Sequence, residues 1–300
     1  MHRARVKGTP VPPSILAEMK DSAPLLRDPA ALCARLESDG YLLLRGVLDV
    51  SVVSAARAEV LKRLEKVGEI LPDTDGIFTG TSSRRMLEPD LGTFWKSVSE
   101  GMQLRAATHS AEITNIMSVV LGQSVRAQDY VFLRVGVNGR GTGLHYDYPF
   151  FARAHDQVRT VWVPLGDVAV EQGPLVIVEG SHHFTDLIDE MRGFDVSEDT
   201  TRKADLGTDA ISFAISRGTR LLTTNFAAGD LALFGMYTAH GSLDHCDASG
   251  RVRVSCDVRW QAKSMPADDR YFGINPRGTT GIGYGELNGA KPLDQPWHMR

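Results

Sequence analysis

The stretch Gly-Thr-Gly-Leu-His-Tyr-Asp-Tyr, Gly141 to Tyr148, puts one residue between a histidine and an aspartate. In an extended strand, residues i and i+2 point to the same face. The His145 imidazole and the Asp147 carboxylate are therefore expected to converge on one point. Two such groups can hold two positions around a metal ion. A distant second histidine would complete the facial set of two histidines and one carboxylate, which leaves three positions open at Fe(II). The bland alternative for the pair alone is a surface strand with a local hydrogen bond. The rest of the chain decides its weight.

A second histidine follows downstream. Gly229-Asp-Leu-Ala-Leu-Phe234 reads as a turn entering a short buried strand, and His240 stands just beyond it, before Gly241-Ser242. His245 competes for the same role, but it lies in the polar run Asp-His-Cys-Asp-Ala-Ser-Gly and is expected to be solvated. His182 and His183 follow Gly-Ser at a turn, where a structural hydrogen bond is the simpler reading. His109 and His155 read as surface or core histidines, and Asp129 and Asp167 as turn or strand-end carboxylates. Next, Arg251-Val-Arg-Val-Ser-Cys-Asp-Val-Arg-Trp alternates polar and apolar, the pattern of a strand. Arg251, Arg253 and Ser255 would share one face. A guanidinium fork binds a carboxylate through two parallel hydrogen bonds, so Arg251 and Arg253 are both candidates for a carboxylate clamp. Ser242 could add a hydroxyl, and Trp162 could wall the pocket.

The elements that must position these groups are legible at low resolution. Met1 to Pro13 is polar and Pro-rich and reads as a loose arm. Pro29 to Ser38 reads as a helix capped by Asp28 with proline in its first turn. Tyr41 to Leu44 is a strand. Ser51 to Val67 carries apolar residues at helical spacing. Met86 to Leu121 holds one or two further helices, around Phe94-Trp95 and Ala111 to Leu121. From Val125 the pattern turns to strands: 125–137, 156–165, 175–178, 221–226, 231–234 and 251–260. Phe184 to Ala214 is charged and reads as an irregular excursion. Helices first and many short strands afterwards predict an α+β fold with a jelly-roll core. The expected organisation is one domain over 1–300, with a mainly helical part (1–124), the core (125–260) and a C-terminal extension (261–300).

Several motifs, taken in order, resemble the phytanoyl-CoA dioxygenase family of Fe(II)/2-oxoglutarate-dependent oxygenases. They are Asp39-Gly-Tyr-Leu-Leu-Leu-Arg-Gly-Val-Leu before a long amphipathic helix, His145-Tyr-Asp147, Trp162-Val-Pro-Leu-Gly-Asp167, Gln172-Gly-Pro-Leu175, Glu179-Gly-Ser-His182, and Gly229 to Phe234 leading to His240-Gly-Ser242. Arg251 lies eleven residues past His240. The resemblance runs from Asp39 to Trp260 and implies a double-stranded β-helix. It also implies that His145, Asp147 and His240 bind iron, and that a later arginine grips the distal carboxylate of 2-oxoglutarate. Family spacing favours Arg251. Arg253-Val-Ser255 instead fits the Arg-x-Ser pattern of other 2-oxoglutarate oxygenases. Gln128 precedes the iron motif where relatives use a polar side chain. The implied cofactors are Fe(II), 2-oxoglutarate and O2, and the implied products are a hydroxylated substrate, succinate and CO2. Related halogenases carry a small residue in place of the carboxylate, so Asp147 favours hydroxylation, with desaturation, epoxidation and rearrangement open to the same chemistry. The segment Gly281 to Leu293 is similar to bacterial relatives in secondary metabolism.

Composition agrees. The 300 residues are 42% hydrophobic, enough for a globular core, and no Ser/Gly or Pro-rich linker or internal repeat interrupts them. A net charge of −4 argues against nucleic acid or an anionic membrane as partner. No apolar run approaches a membrane span or a signal peptide. Three cysteines without a Cys-x-x-Cys spacing fit a reducing compartment, so a cytoplasmic enzyme is expected. The expected partner is a small molecule, a natural-product intermediate rather than an acyl-CoA, since no basic cluster suits the CoA phosphates. The sequence leaves the oligomeric state open. Among the aromatics beside the iron motif, Tyr146, Tyr148 and Phe150 are expected to point away from Asp147, while Phe151 shares its side if the strand persists. Arg140, Arg153 and Arg159 are candidates for an acidic group on the substrate. Two other classes remain: a non-oxidative metal enzyme of cupin type, which would need no arginine after the distal histidine, and a non-catalytic β-sandwich that binds a ligand.

Overall fold

A computed structural model describes residues 4–274 and 276, apart from 82, 88–90, 137, 138, 140, 200 and 208. Arg140 and the Gly281 to Leu293 segment lie outside the described residues. The first third of the chain is mainly helical: α1 (Pro29–Asp39), α2 (Val50–Lys66), α3 (Arg84–Leu87), α4 (Leu91–Ser99), α5 (Met102–Thr108) and α6 (Ala111–Leu121). Local chemistry sets their ends. The Asp28 carboxylate accepts from Ala31 N at 3.0 Å and Pro29 occupies the first turn of α1. Gly40 ends α1 at φ 76°, a conformation open to glycine. Helix α2 turns Val53, Ala56, Val60, Leu61 and Leu64 inward, as its spacing predicts. The 86–121 region holds more helical segments than the one or two expected, because short loops break the apolar pattern.

The strands are β1 (Arg5–Val6), β2 (Thr9–Pro10), β3 (Leu16–Glu18), β4 (Tyr41–Leu44), β5 (Val125–Gly136), β6 (Arg159–Pro164), β7 (Leu175–Val178), β8 (Leu221–Thr223), β9 (Leu231–Gly235), β10 (His240–Ser242) and β11 (Arg253–Ala262). One sheet runs β4-β9-β6-β11-β5 and a second runs β10-β7-β8-β3. Strands β3 and β8 pair in parallel, and the other pairings are antiparallel. The two sheets face each other across a core that includes Tyr41, Leu43, Trp162 and Phe234 from one and Leu175, Ile177 and Leu222 from the other. Among the described residues they do not close into a barrel. The helices cover the outer face of the larger sheet, where Val131, Leu133, Val161, Val254, Cys256 and Val258 join α2, α5 and α6 in one apolar cluster. This is the expected α+β, cupin-like arrangement.

Alternation along β11 is what builds the site. Val254, Cys256, Val258 and Trp260 point to the helices. Arg253, Ser255, Asp257 and Arg259 point the other way, between the sheets, and all are buried. Two expectations need correction. The 184–214 excursion is not wholly irregular, since α8 (Thr185–Met191) and α9 (Ala210–Arg217) form within it after the short α7 (Tyr148–Phe151). The N-terminal arm is not loose either. From Ala4 it packs Val6 and Val11 into the core with Val176 and Val178 of β7, and Gly8 N donates to Asp244 Oδ2 at 2.7 Å.

Candidate metal centre and cosubstrate pocket

His145, Asp147 and His240 meet at one point, each offering a ligand atom within 4.8 Å of the others. Among the described residues they are the one cluster of three such groups. Two separate segments supply them. His145 N donates to His240 O and His240 N donates to His145 O, both at 3.0 Å, so the chain before α7 is bridged to β10. Glycines permit this approach. A Cβ on Gly241 would stand 2.6 Å from Thr142 O, and one on Gly141 would stand 2.7 Å from Ser242 O.

The donor set is prepared for a cation. His145 Nδ1 lies 3.0 Å from Gly143 O and His240 Nδ1 lies 2.9 Å from Thr238 O. Each backbone carbonyl accepts the Nδ1 proton, which leaves the Nε2 lone pair facing Asp147. Burial lowers the His145 pKa to about 3, helped by the neighbouring His240, and burial lowers that of His240 as well. Both imidazoles are therefore neutral ligands at neutral pH. Burial alone would raise the Asp147 pKa. The Arg259 guanidinium, the two histidines and the Thr160 hydroxyl overcome it and hold the carboxyl well below its usual range. Asp147 precedes α7 but does not cap it, so its oxygens serve other partners. Two neutral nitrogens and one carboxylate oxygen are a donor set that suits Fe(II).

Beside the triad, Arg134, Thr142, Trp162, Leu175, Ser242, Arg253 and Asp257 line one pocket with His145 and His240. Arg134 Nε and Asp257 Oδ2 form an ion pair at 2.5 Å. Arg253 is buried, and its Nη1 donates to Ser255 Oγ at 2.8 Å. Its Nε has no partner among the described residues. Burial, with Arg134 nearby, lowers its pKa to about 10 against the pull of Asp257, so it stays charged at neutral pH. Two cations and one anion leave the pocket with an unmatched positive charge, which suits an anionic ligand.

The geometry separates Arg251 from Arg253. Strand pairing begins at Arg253, opposite Gly136. Arg251 lies before the strand, in an isolated bridge to Ile77, and forms an ion pair with Asp75 on the surface. It does not line the pocket, against the expectation from family spacing. The alternation rule put both arginines on one face, but it holds only within the paired strand. Ser242 does reach the pocket, where its Oγ accepts from Thr142 N at 2.7 Å. Trp162 is among its lining residues, tilted against Phe226. Gln128 is buried but is not among the lining residues. His245 is buried rather than solvated, with Nε2 2.7 Å from Arg251 O. His182 makes the expected structural contact, to Glu37 O at 3.1 Å. Arg153 is committed to ion pairs with Asp195 and Glu198, and Arg159 Nη1 donates to Val158 O at 3.1 Å. Tyr146 points away, its hydroxyl donating to Ser181 O at 3.0 Å. Phe150 does not: Pro149 sits in the first turn of α7, and the helical turn brings the Phe150 ring edge-on to His145, centroids 6.1 Å apart. Arg134, Thr160, Asp257 and Arg259 were missed, although the alternation of β11 marks Asp257 and Arg259 as inward residues.

Two facing sheets with this triad and a buried arginine beside it define a non-haem iron oxygenase that takes 2-oxoglutarate as cosubstrate. The chain belongs to the phytanoyl-CoA dioxygenase family, whose model matches residues 36–252. It is 24% identical over 263 residues to the 1-deoxypentalenic acid 11-beta-hydroxylase of Streptomyces exfoliatus, covering 83% of this chain and 87% of that one. The Streptomyces arenae enzyme of the same name is 25% identical over 83% of this chain and 86% of its own length. Among solved structures, the alpha-ketoglutarate-dependent carbocyclase of nogalamycin biosynthesis superposes with a TM-score of 0.56 at 21% identity, over 88% of this chain and 93% of that one. The epimerase SnoN in complex with Fe3+, alpha-ketoglutarate and nogalamycin RO gives 0.55 at 23% identity, over 82% and 88%. Both share the fold. The family's cofactors are Fe(II), 2-oxoglutarate and O2, and His145, Asp147 and His240 could hold the iron here.

Proposed function

We propose that this chain hydroxylates an aliphatic C–H bond of a small natural-product intermediate, with release of succinate and CO2. The observation that carries the reading is the convergence of His145, Asp147 and His240 beside the buried, incompletely partnered Arg253. Neither a non-oxidative cupin enzyme nor a bare binding sandwich needs that arginine. Bound iron with 2-oxoglutarate would supply the oxidising power that converts C–H to C–OH. The protein's part is positional. His145 and His240 present neutral nitrogens, and Asp147 presents one charged oxygen. Arg253 would hold the distal carboxylate of 2-oxoglutarate through its free N–H and its Nη groups, with Ser255 fixing the guanidinium. Ser242 and Thr142 line the same wall, and Trp162 and Leu175 keep it dry. Phe150, edge-on to His145, would present an apolar face to substrate.

The hydroxylase relatives favour an acid as substrate class, and 1-deoxypentalenic acid is the first compound to test. Cys33 and the buried Cys256 form no disulfide, which supports a cytoplasmic setting. Among the described residues no helix is long and apolar enough to cross a membrane. The test is Fe(II)-dependent formation of succinate from 2-oxoglutarate, with and without a panel of such acids. Asp147→Ala should abolish succinate formation and weaken iron binding. Full turnover and full iron affinity in that variant would remove the triad from the mechanism.

A further inference from the structure

The two oxygens of Asp147 are held differently. Oδ1 lies 3.9 Å from Nε2 of His145 and 3.9 Å from Nε2 of His240. Oδ2 accepts the Thr160 hydroxyl at 2.5 Å. Arg259 Nη2 sits 3.1 Å from Oδ2 and 3.2 Å from Oδ1. Thr160 on β6 and Arg259 on β11 are direct cross-strand partners, so one register sets both donors beside the same carboxylate. Neither can swing away. Thr160 is β-branched and fully buried. Arg259 is 2% exposed, and its guanidinium lies 4.0 Å from the Phe151 ring centroid. Its Nε and Nη1 have no hydrogen-bond partner among the described residues. Among the described residues, this buried cation thus directs its hydrogen bonds to Asp147 alone.

We propose that Thr160 and Arg259 are positioning residues that restrict Asp147 to a single metal–oxygen bond. The proposal rests on the iron-centre reading above. Two imidazoles and one carboxylate oxygen leave three of six positions open for the cosubstrate and O2. A carboxylate bound through both oxygens would close one of them. With its donors removed, Oδ2 would be a bare anionic acceptor beside a dication, and it would turn onto the metal. Thr160 occupies that oxygen, Arg259 spans both oxygens and fixes the carboxylate's orientation, and together they keep the third position free. The Arg259 charge also repels the metal, so the pair gives up some affinity to preserve the open position.

Mn(II) is the probe, and water-proton relaxation of the Mn(II)-loaded full chain is the readout, because it counts exchangeable waters on the bound ion. In the parent protein about three waters are expected. Thr160→Val, which keeps the side-chain shape and removes only the hydroxyl, should lower the inner-sphere relaxivity per bound Mn(II) by about one third, with Mn(II) affinity equal or higher. Arg259→Met should do the same, and Thr160→Ser should restore the parent value. Unchanged relaxivity in Thr160→Val overturns the proposal, and so does loss of Mn(II) binding in that variant, since the hydroxyl would then serve affinity rather than the number of bonds. If Arg259→Met does not fold, the Thr160 pair of variants decides alone. If the parent chain itself fails to bind Mn(II), the iron-centre reading falls and this proposal with it.

Discussion

Replacing Arg253 by Lys should raise the 2-oxoglutarate requirement while leaving iron affinity nearly unchanged. The guanidinium is buried, already gives Nη1 to Ser255, and has an unpartnered Nε. A carboxylate arriving there would gain two charge-assisted hydrogen bonds from a fixed fork. Lysine keeps the charge but offers a single nitrogen on a flexible stem. The loss is then about one such bond, or about 1.5–3 kcal/mol. At about 1.4 kcal/mol per factor of ten, the apparent affinity for 2-oxoglutarate should fall roughly ten- to hundredfold. Arg251→Lys is the control. Its guanidinium is half-buried on the surface against Asp75, where an ion pair is worth about 1 kcal/mol or less to stability. It should leave the cosubstrate requirement unchanged. The assay is succinate formation against 2-oxoglutarate concentration, paired with anaerobic titration of cosubstrate into the Fe(II)-loaded protein. If Arg251→Lys loses affinity and Arg253→Lys keeps it, the reasoning from strand pairing is wrong.

Two further outcomes are expected. Gly241→Ala should force apart the two segments that carry the histidines, since its Cβ would meet Thr142 O at 2.6 Å; isothermal titration should show weaker metal binding, and unchanged affinity would refute the close-approach argument. His109 accepts from Arg105 Nη1 at 3.1 Å, and burial, aided by the Arg105 charge, lowers its pKa to about 4. In the unfolded chain its value is about 6.5, so the unfolded state takes up the proton first as pH falls. The stability His109 contributes is full above about pH 6.5 and is lost between about 6.5 and 4, by up to about 3 kcal/mol. Urea unfolding at pH 7.5 and 5 should therefore show a smaller pH loss in His109→Gln than in the parent, and equal losses would sink the argument.

The sequence made the triad legible because its signals are local. His-x-Asp obeys strand periodicity, and His240 follows an unbroken apolar strand with its turn signal. The helix ends at Asp28 and Gly40 were legible for the same reason. What escaped depends on pairing between distant segments. Arg251 and Arg253 differ only in where β11 begins, and that is set by Gly136 across the sheet. Phe150 turns toward His145 because a helical turn with Pro149 in its first positions begins at Tyr148, which ends the alternation assumed for it. Thr160 and Arg259 carry no motif of their own. Their meaning appears only when cross-strand register puts both beside Asp147. The N-terminal arm reads as a loose polar arm until its few apolar residues, Val6 and Val11, join the cluster that holds Val176 and Val178 of β7.

The mutual backbone bridge between His145 and His240 has a thermodynamic consequence. Its two halves lie far apart in the chain, one before α7 and the other on the opposite sheet from β9. No locally folded fragment holds all three ligands, so the unfolded chain offers a metal only weak, partial ligation. Metal binding and closure of the two sheets are therefore linked equilibria. Free metal at a hundred times its dissociation constant would add about 2.7 kcal/mol to the stability of the closed state. The melting temperature should therefore rise with free metal, and a chelator should lower stability and turnover together.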